Sequence, residues 1–256
     1  MTATSSEPPV FRRLDFRTRH LQRAVDFYCE AMGLAVKTGG TGAAGLGPSE
    51  DPGTMLYFVE EPGAPPRGRA TAGLFHWALL HPSRAALVAA VRRLLDRGGE
   101  VFGYVDHGAS EAVYLADPDG NGLELAADRP ATSWPYEDGR LAMYSRRRDL
   151  DELLAHAGEV GGPVRIGHLH LRVRSLEAST RFYRDLLGLQ ATQTSIPGAV
   201  FLARGTYHHH LALNTWGAPV IGLAPEGAVG LTAVYSAGGL PDGEKGRTDP
   251  DGLVVH

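Results

Sequence analysis

The sequence predicts an α+β chain assembled from four β-α-β-β-β modules, the last of them truncated. Three observations carry this expectation. LQRAVDFYCEAMGL over Leu21–Leu34 returns as LEASTRFYRDLLGL over Leu176–Leu189, with Leu, Phe-Tyr and Gly-Leu at a common offset of 155 residues. A second strand-helix-strand pattern runs from Leu74 to Ala126 between the two copies. A reduced version of it closes the chain as Gly230–Ser236, the turn Asp249-Pro-Asp-Gly252 and Leu253–Val255, with no helix between Ser236 and Arg247.

Each element has a local reason. Phe11–Thr18 alternates as a strand does, and Leu21–Leu34 is a short amphipathic helix closed by Gly33, suited to a left-handed C-cap. Gly39–Gly53 and Gly63–Gly73 read as loops around an apolar strand at Met55–Val59. Leu74–Leu80 (LFHWALL) is a buried strand. Pro82 and Ser83 then open a helix, Arg84–Arg97, which Gly98-Gly99 ends. Strands follow at Val101–Val105, Ala112–Leu115 and Leu123–Ala126, the last two joined by the hairpin signal Asp117-Pro-Asp-Gly-Asn-Gly122. Arg129–Pro163 is polar, with one helical stretch at Asp149–His156, and reads as a linker. Arg165–Arg174 is a strand, Leu176–Leu189 the repeated helix with Gly188 as its cap, and Ala199–Leu202 and His208–Leu213 are strands. The expected organisation is a first domain over 8–130, a linker over 131–163 and a second domain over 164–256.

Composition excludes several classes. The 25 basic and 29 acidic residues give a net charge of −4, against a generic nucleic-acid or polybasic membrane surface. No apolar run approaches the length of a bilayer span. MTATSSEPPV has neither the charged segment nor the apolar core of a secretory signal, so the expected location is cytoplasmic. One cysteine, Cys29, leaves no internal disulfide and no thiolate metal cluster. The 11 histidines, unevenly placed, are the feature to explain.

Candidate chemistry concentrates in modules two and three. Tyr114 and Glu124 lie on strands joined by a tight turn, so their side chains can converge on one face. Glu124 sits among Leu123, Leu125 and Ala126, so it either faces solvent through alternation or binds something positive. His76, between apolar neighbours, reads from its surroundings as a core histidine. His168 and His170 share a strand face, as an exposed pair or as site residues. In Tyr207-His-His-His-Leu, alternation sets His209 opposite His208 and His210, so at most one face enters a cleft. Phe75, Trp77 and Trp216 offer apolar walls or ordinary core.

VDHGASEAVYLADPDGNGLE over Val105–Glu124 resembles the extradiol-dioxygenase signature, with His107, Val113, Tyr114, Asp117, Pro118, Gly120 and Glu124 in register. Together with the paired modules, this identifies a resemblance to the vicinal-oxygen-chelate superfamily of glyoxalase I, fosfomycin-resistance, bleomycin-binding and extradiol ring-cleaving proteins. Within it, the chain resembles two-domain bacterial catechol 2,3-dioxygenases. The resemblance covers nearly the whole chain and implies modules paired into curved mixed sheets around a cleft. It also implies His76, Glu124 and His168 as metal ligands, with Fe(II) as the cofactor and Mn(II) as the alternative. His209 becomes the acid–base residue, Tyr114 a hydrogen-bond partner of the substrate oxygen, and His107 the residue that steadies that oxygen. His170, His208, His210, Trp77 and Trp216 would bind substrate or support the site.

Modules one and four lack ligands at the matching positions, which hold Arg13, the Tyr57-Phe58 region, Ala233 and Val255. The cleft is therefore expected between modules two and three, across the sequence halves, within one chain or by exchange in a dimer. The expected reaction is extradiol cleavage of an aromatic diol by O2 in a homodimer, with no nucleic-acid or membrane partner. Two other functions stay open: a non-oxidative enzyme of the same superfamily (a glyoxalase-like lyase or isomerase, or an antibiotic-resistance transferase), and a protein that sequesters a drug or metabolite.

Overall fold

The computed structural model describes residues 9–68, 70–241 and 245–256. In chain order its elements are β1 (Phe11–Thr18), α1 (Leu21–Asp26), β2 (Ala35–Gly40), β3 (Ala43–Gly47), β4 (Leu56–Glu60), β5 (Gly73–His81), α2 (Arg84–Asp96), β6 (Gly103–Asp106), β7 (Ser110–Ala116) and β8 (Gly122–Asp128). The short β9 (Tyr136–Glu137), β10 (Arg140–Leu141), β11 (Arg146–Arg148) and α3 (Leu150–Leu154) follow. Then come β12 (Arg165–Arg172), α4 (Leu176–Leu187), β13 (Gln190–Gln193), β14 (Ala199–Ala203), β15 (Leu211–Asn214), β16 (Gly230–Ser236), β17 (Arg247–Thr248) and β18 (Val254–Val255).

Two large mixed sheets result, giving the α+β class the repeat predicts. One has seven strands in the order β17-β18-β16-β1-β4-β3-β2, and joins modules four and one through antiparallel β16 and β1. The other has nine, β11-β6-β7-β8-β5-β12-β15-β14-β13, and joins modules two and three through antiparallel β5 and β12. The main apolar core, from Phe11, Leu14 and Phe58 through Trp77 and Leu125 to Leu171 and Val234, fills the space between sheets and helices.

Four readings from sequence need revision. The helix expected over Leu21–Leu34 is α-helical only to Asp26 and continues as a π-helix over Phe27–Ala31, where the Met32 N–H reaches the Phe27 carbonyl. The Gly39–Gly53 segment is not all loop, because β2 and β3 pair there as an antiparallel hairpin. Their small residues carry too few large side chains to show a period. His208–His210 precede their strand, which begins at Leu211. The segment read as a linker adds β11 to the edge of the nine-stranded sheet and packs α3 on α2. Between Ser236 and Arg247 no α-helix occurs among the described residues; 242–244 lie outside them.

The two halves share a device that neither strand period reveals. Tyr28 and Tyr183 occupy equivalent positions in the repeated helical segments. Each donates its buried hydroxyl to the aspartate that organises the turn of the following module: Tyr28 to Asp117 at 3.0 Å and Tyr183 to Asp249 at 2.8 Å. Asp117 also accepts from the backbone N–H groups of Asp119 and Asn121, and Asp249 from those of Asp251 and Leu253. Burial pushes Asp117 up to about 6 against the opposing pull of these donors. Tyr28→Phe removes the hydroxyl and nothing else. The expected loss is about 1–2 kcal/mol, read as a lower urea midpoint at unchanged slope.

His81, at the end of β5, is buried with Nδ1 3.3 Å from the Ala126 carbonyl and Nε2 without a hydrogen-bond partner. Burial lowers its pKa to about 4. The unfolded chain therefore binds more protons between about pH 6.5 and 4. This part of the stability is complete above that window and is lost as pH falls through it, about 3 kcal/mol in all. Urea unfolding at pH 7 and pH 4.5 should show a smaller acid loss in His81→Gln than in the parent.

Candidate metal and active centre

The site lies on the face of the nine-stranded sheet where β5, β7, β8 and β12 meet. Register brings its members together. Tyr114 stands directly opposite Glu124 in the β7–β8 pair, and His76 opposite His170 in the β5–β12 pair. Gly122 permits the close packing of β8 on β5, since a Cβ there would lie 2.3 Å from the Phe75 carbonyl oxygen. The cleft expected between modules two and three is thus formed within one chain.

At its centre, Glu124 Oε2 lies 3.0 Å from His76 Nε2 and 3.2 Å from His168 Nε2. The potential donor atoms of the three residues lie within 4.8 Å of one another, and all three residues are buried. The other carboxylate oxygen, Oε1, is buried with no hydrogen-bond partner. An orphaned carboxylate oxygen beside two imidazole nitrogens fits the donor set of a cation site. Two imidazoles and one carboxylate suit a first-row divalent ion. Burial alone would raise the pKa of Glu124, yet the His168 and His76 rings hold it well below the carboxylate range. Burial lowers the pKa of His168 although Glu124 opposes it, favouring the neutral imidazole a metal needs.

Around this centre is a cavity of about 250 Å³, walled by Phe75, Ile196, Phe201, Trp216 and Met143. His209, His107 and Tyr114 face it. The His209 ring packs 4.2 Å from the His168 ring, and its Nδ1 lies 2.9 Å from His208 Nδ1. His208 Nε2 in turn lies 3.0 Å from Asp128 Oδ1, while Tyr207 donates to Oδ2 of the same carboxylate. Burial, with His168 and His208 nearby, pushes the pKa of His209 well below its usual value. Tyr114 hydroxyl and His107 Nε2 are 2.8 Å apart, and His107 Nδ1 is 3.1 Å from the Tyr144 carbonyl. Burial and the Glu124 charge drive the Tyr114 pKa well above its usual value.

The other candidates divide. His170 lines the cavity and accepts from the Asn214 amide at 2.8 Å, and Trp216 forms a wall beside it. His208 lies behind His209. His210 turns away, stacks on Tyr207 and accepts the Arg204 N–H. Trp77 is fully buried near Tyr28, ring centroids 6.2 Å apart, and is not part of the cavity wall. Phe75, two residues before it, nevertheless lines the cavity together with His76, because the β5–β12 register steps from His76 to Leu74 opposite His170 and Leu171 and leaves Phe75 as the extra residue of a bulge. Sequence reasoning missed Asp128, Asn214, Phe201, Ile196 and the Met143-Tyr144-Ser145 wall. Asp128 alone carried a signal, an acidic residue ending a strand four positions after Glu124.

Paired modules around a buried two-histidine, one-carboxylate cluster define an α+β protein with a candidate metal centre. The chain belongs to the Glyoxalase/Bleomycin resistance protein/Dioxygenase superfamily, whose model matches residues 11–125 and 165–235. It is 36% identical over 222 residues to a catechol-2,3-dioxygenase of Bacillus subtilis, covering 83% of this chain and 77% of that one. It is 32% identical over 117 residues to biphenyl-2,3-diol 1,2-dioxygenase 3 of Rhodococcus globerulus, covering 45% of this chain and 62% of that one. Among solved structures, glyoxalase I from Zea mays superposes with a TM-score of 0.59 at 17% identity, over 96% of this chain and 90% of that one, which shows the shared fold. By sequence the chain is an extradiol-dioxygenase-like enzyme of this superfamily.

Proposed function

We propose that the protein is a metal-dependent extradiol dioxygenase acting with O2 on a catechol-type diol whose substituents are uncharged. The observation that carries this reading is the placement of His76, Glu124 and His168 at one end of an apolar cavity that also presents His209 and Tyr114. These three residues would hold Fe(II), with Mn(II) as the alternative, and that ion would supply the electron transfer between diol and dioxygen that side chains cannot.

The side chains do the rest. Asp128 is a pure acceptor, so with His208 neutral its Nε2 carries the proton toward Asp128 and its Nδ1 is bare. His209 then donates from Nδ1 to His208, which leaves His209 Nε2 with its lone pair free to take a diol proton. The Tyr144 carbonyl fixes the proton of His107 on Nδ1 in the same way, so Tyr114 donates to His107 and keeps its oxygen lone pairs for the second diol hydroxyl. Phe75, Phe201 and Trp216 would clamp the ring and exclude water. The lining includes no Lys or Arg, so a carboxylate substituent would be buried without a counter-charge.

The test is anaerobic reconstitution with Fe(II), followed by oxygen uptake with catechol, 4-methylcatechol and 3,4-dihydroxybenzoate. Uptake with the neutral diols is expected, and kcat/KM for the carboxylated diol should be lower by about 10-fold or more. Bound metal without oxygen uptake would redirect the reading to a lyase or isomerase. Tight diol binding with neither would indicate sequestration.

A further inference from the structure

A second cavity takes no part in this chemistry. It has a volume of about 390 Å³ and opens between the sheets where β1 and β12 end and β5 begins. Its far wall is the loop that includes Leu223–Val229, and backbone bonds fasten that loop: Gly222 exchanges hydrogen bonds with Ala70 and Ala72, and the Val229 N–H donates to Pro65. The walls are therefore built rather than incidental.

Three arginines line this space, Arg17, Arg67 and Arg172. Arg17 is paired with Glu61. Arg67 is partly buried, donates to the Leu74 carbonyl, and makes no ion pair among the described residues. Arg172 lies over the Phe75 ring, 5.2 Å from its centroid, and close enough to Arg67 for their charges to repel. Burial and that repulsion push Arg67 down to about 10. The carboxylates lining the cavity are already engaged. Asp249 accepts the Tyr183 hydroxyl and two turn N–H groups, and Asp251 pairs with Arg174 at 2.7 Å.

The Asp117 charge offsets Arg67 in part, but a partly buried guanidinium set beside a second one favours a further counter-ion. Its planar fork of donors matches a carboxylate or a phosphate. We propose that this cavity is a binding site for a small oxyanion, held chiefly by Arg67 with Arg172 beside it. The site stands independently of the reaction run in the other cavity. Through Arg172 it also touches the back of Phe75, a wall of that cavity.

Two probes separate the chemical sources, sulfate for tetrahedral anions and acetate for carboxylates. Thermal unfolding of the full chain, at constant ionic strength set with chloride, should show a saturable rise of several degrees at millimolar concentrations of at least one probe. Arg67→Met should remove that rise. Calorimetric titration of the unaltered protein gives a second reading that needs no variant. No saturable heat with either probe, or an equal thermal shift in Arg67→Met, would overturn the proposal.

Discussion

Glu124→Ala should leave a folded chain that neither retains a divalent metal after desalting nor consumes oxygen with a catechol. The reason lies in what the carboxylate does in the fold. It is 1% exposed, it meets both His76 and His168 through one oxygen, and its second oxygen has no other partner. Losing a residue that merely orients a ligand typically costs 10- to 100-fold in metal affinity or activity, so loss of a ligand should exceed about 100-fold. The alanine also leaves two buried imidazoles without their acceptor, an expected cost of about 3 kcal/mol. Glu124→Gln keeps the volume and separates the two effects. It should restore most of the stability and little of the metal. Metal content by elemental analysis and oxygen uptake are the measurements, and retention of both in the alanine variant would remove Glu124 from the site.

His209→Ala should give the opposite pattern, with metal content unchanged and turnover reduced by about 10²- to 10⁴-fold. The ring packs on His168 at a tilt but is not one of the clustered donors, so its removal should leave the metal site standing. KM for the diol should move little, because the apolar walls remain. His208→Ala offers a graded comparison. It removes the link from Asp128 to His209 while leaving the His209 ring in place, so a smaller loss of kcat with an altered pH profile is expected. Equal losses of kcat and metal in His209→Ala would mean that the residue supports the metal site rather than the proton transfer.

Strands with large alternating side chains were legible in the sequence. Phe11–Thr18 and Gly230–Ser236 begin and end where their patterns do, although bulges in their pairing break strict alternation of the buried residues. Gly33 and Gly188 adopt positive φ of 78° and 67°, as helix-terminal glycines should. The central part of the site was legible because a strand-turn-strand motif fixes its own register, and Glu124 is tied to Tyr114 by the turn that Asp117 holds. The β2–β3 hairpin was not legible, since AVKTGG and AAGLG lack the side-chain contrast that reveals a period. Nor was the wall formed by Met143, Tyr144 and Ser145, because a polar connecting segment acquires its place only from the surface it folds against. Trp77 illustrates a subtler limit. It sits beside His76 in a strand rich in apolar residues, and only alternation, applied strictly, assigns it to the opposite face from the metal ligands.

The position in β1 that corresponds to His168 in the repeat holds a cation instead of a ligand. There the Arg13 guanidinium lies 4.6 Å from the ring centroids of both Tyr57 and Tyr235 and is paired with Asp15 at 2.6 Å. A fixed positive charge between two rings repels a metal cation and already satisfies the nearby carboxylate. The duplicated scaffold thus keeps two similar sheets but only one chelating centre among the described residues. Ferrous ion titrated into the apoprotein should saturate at a single equivalent per chain, whatever the number of chains that associate.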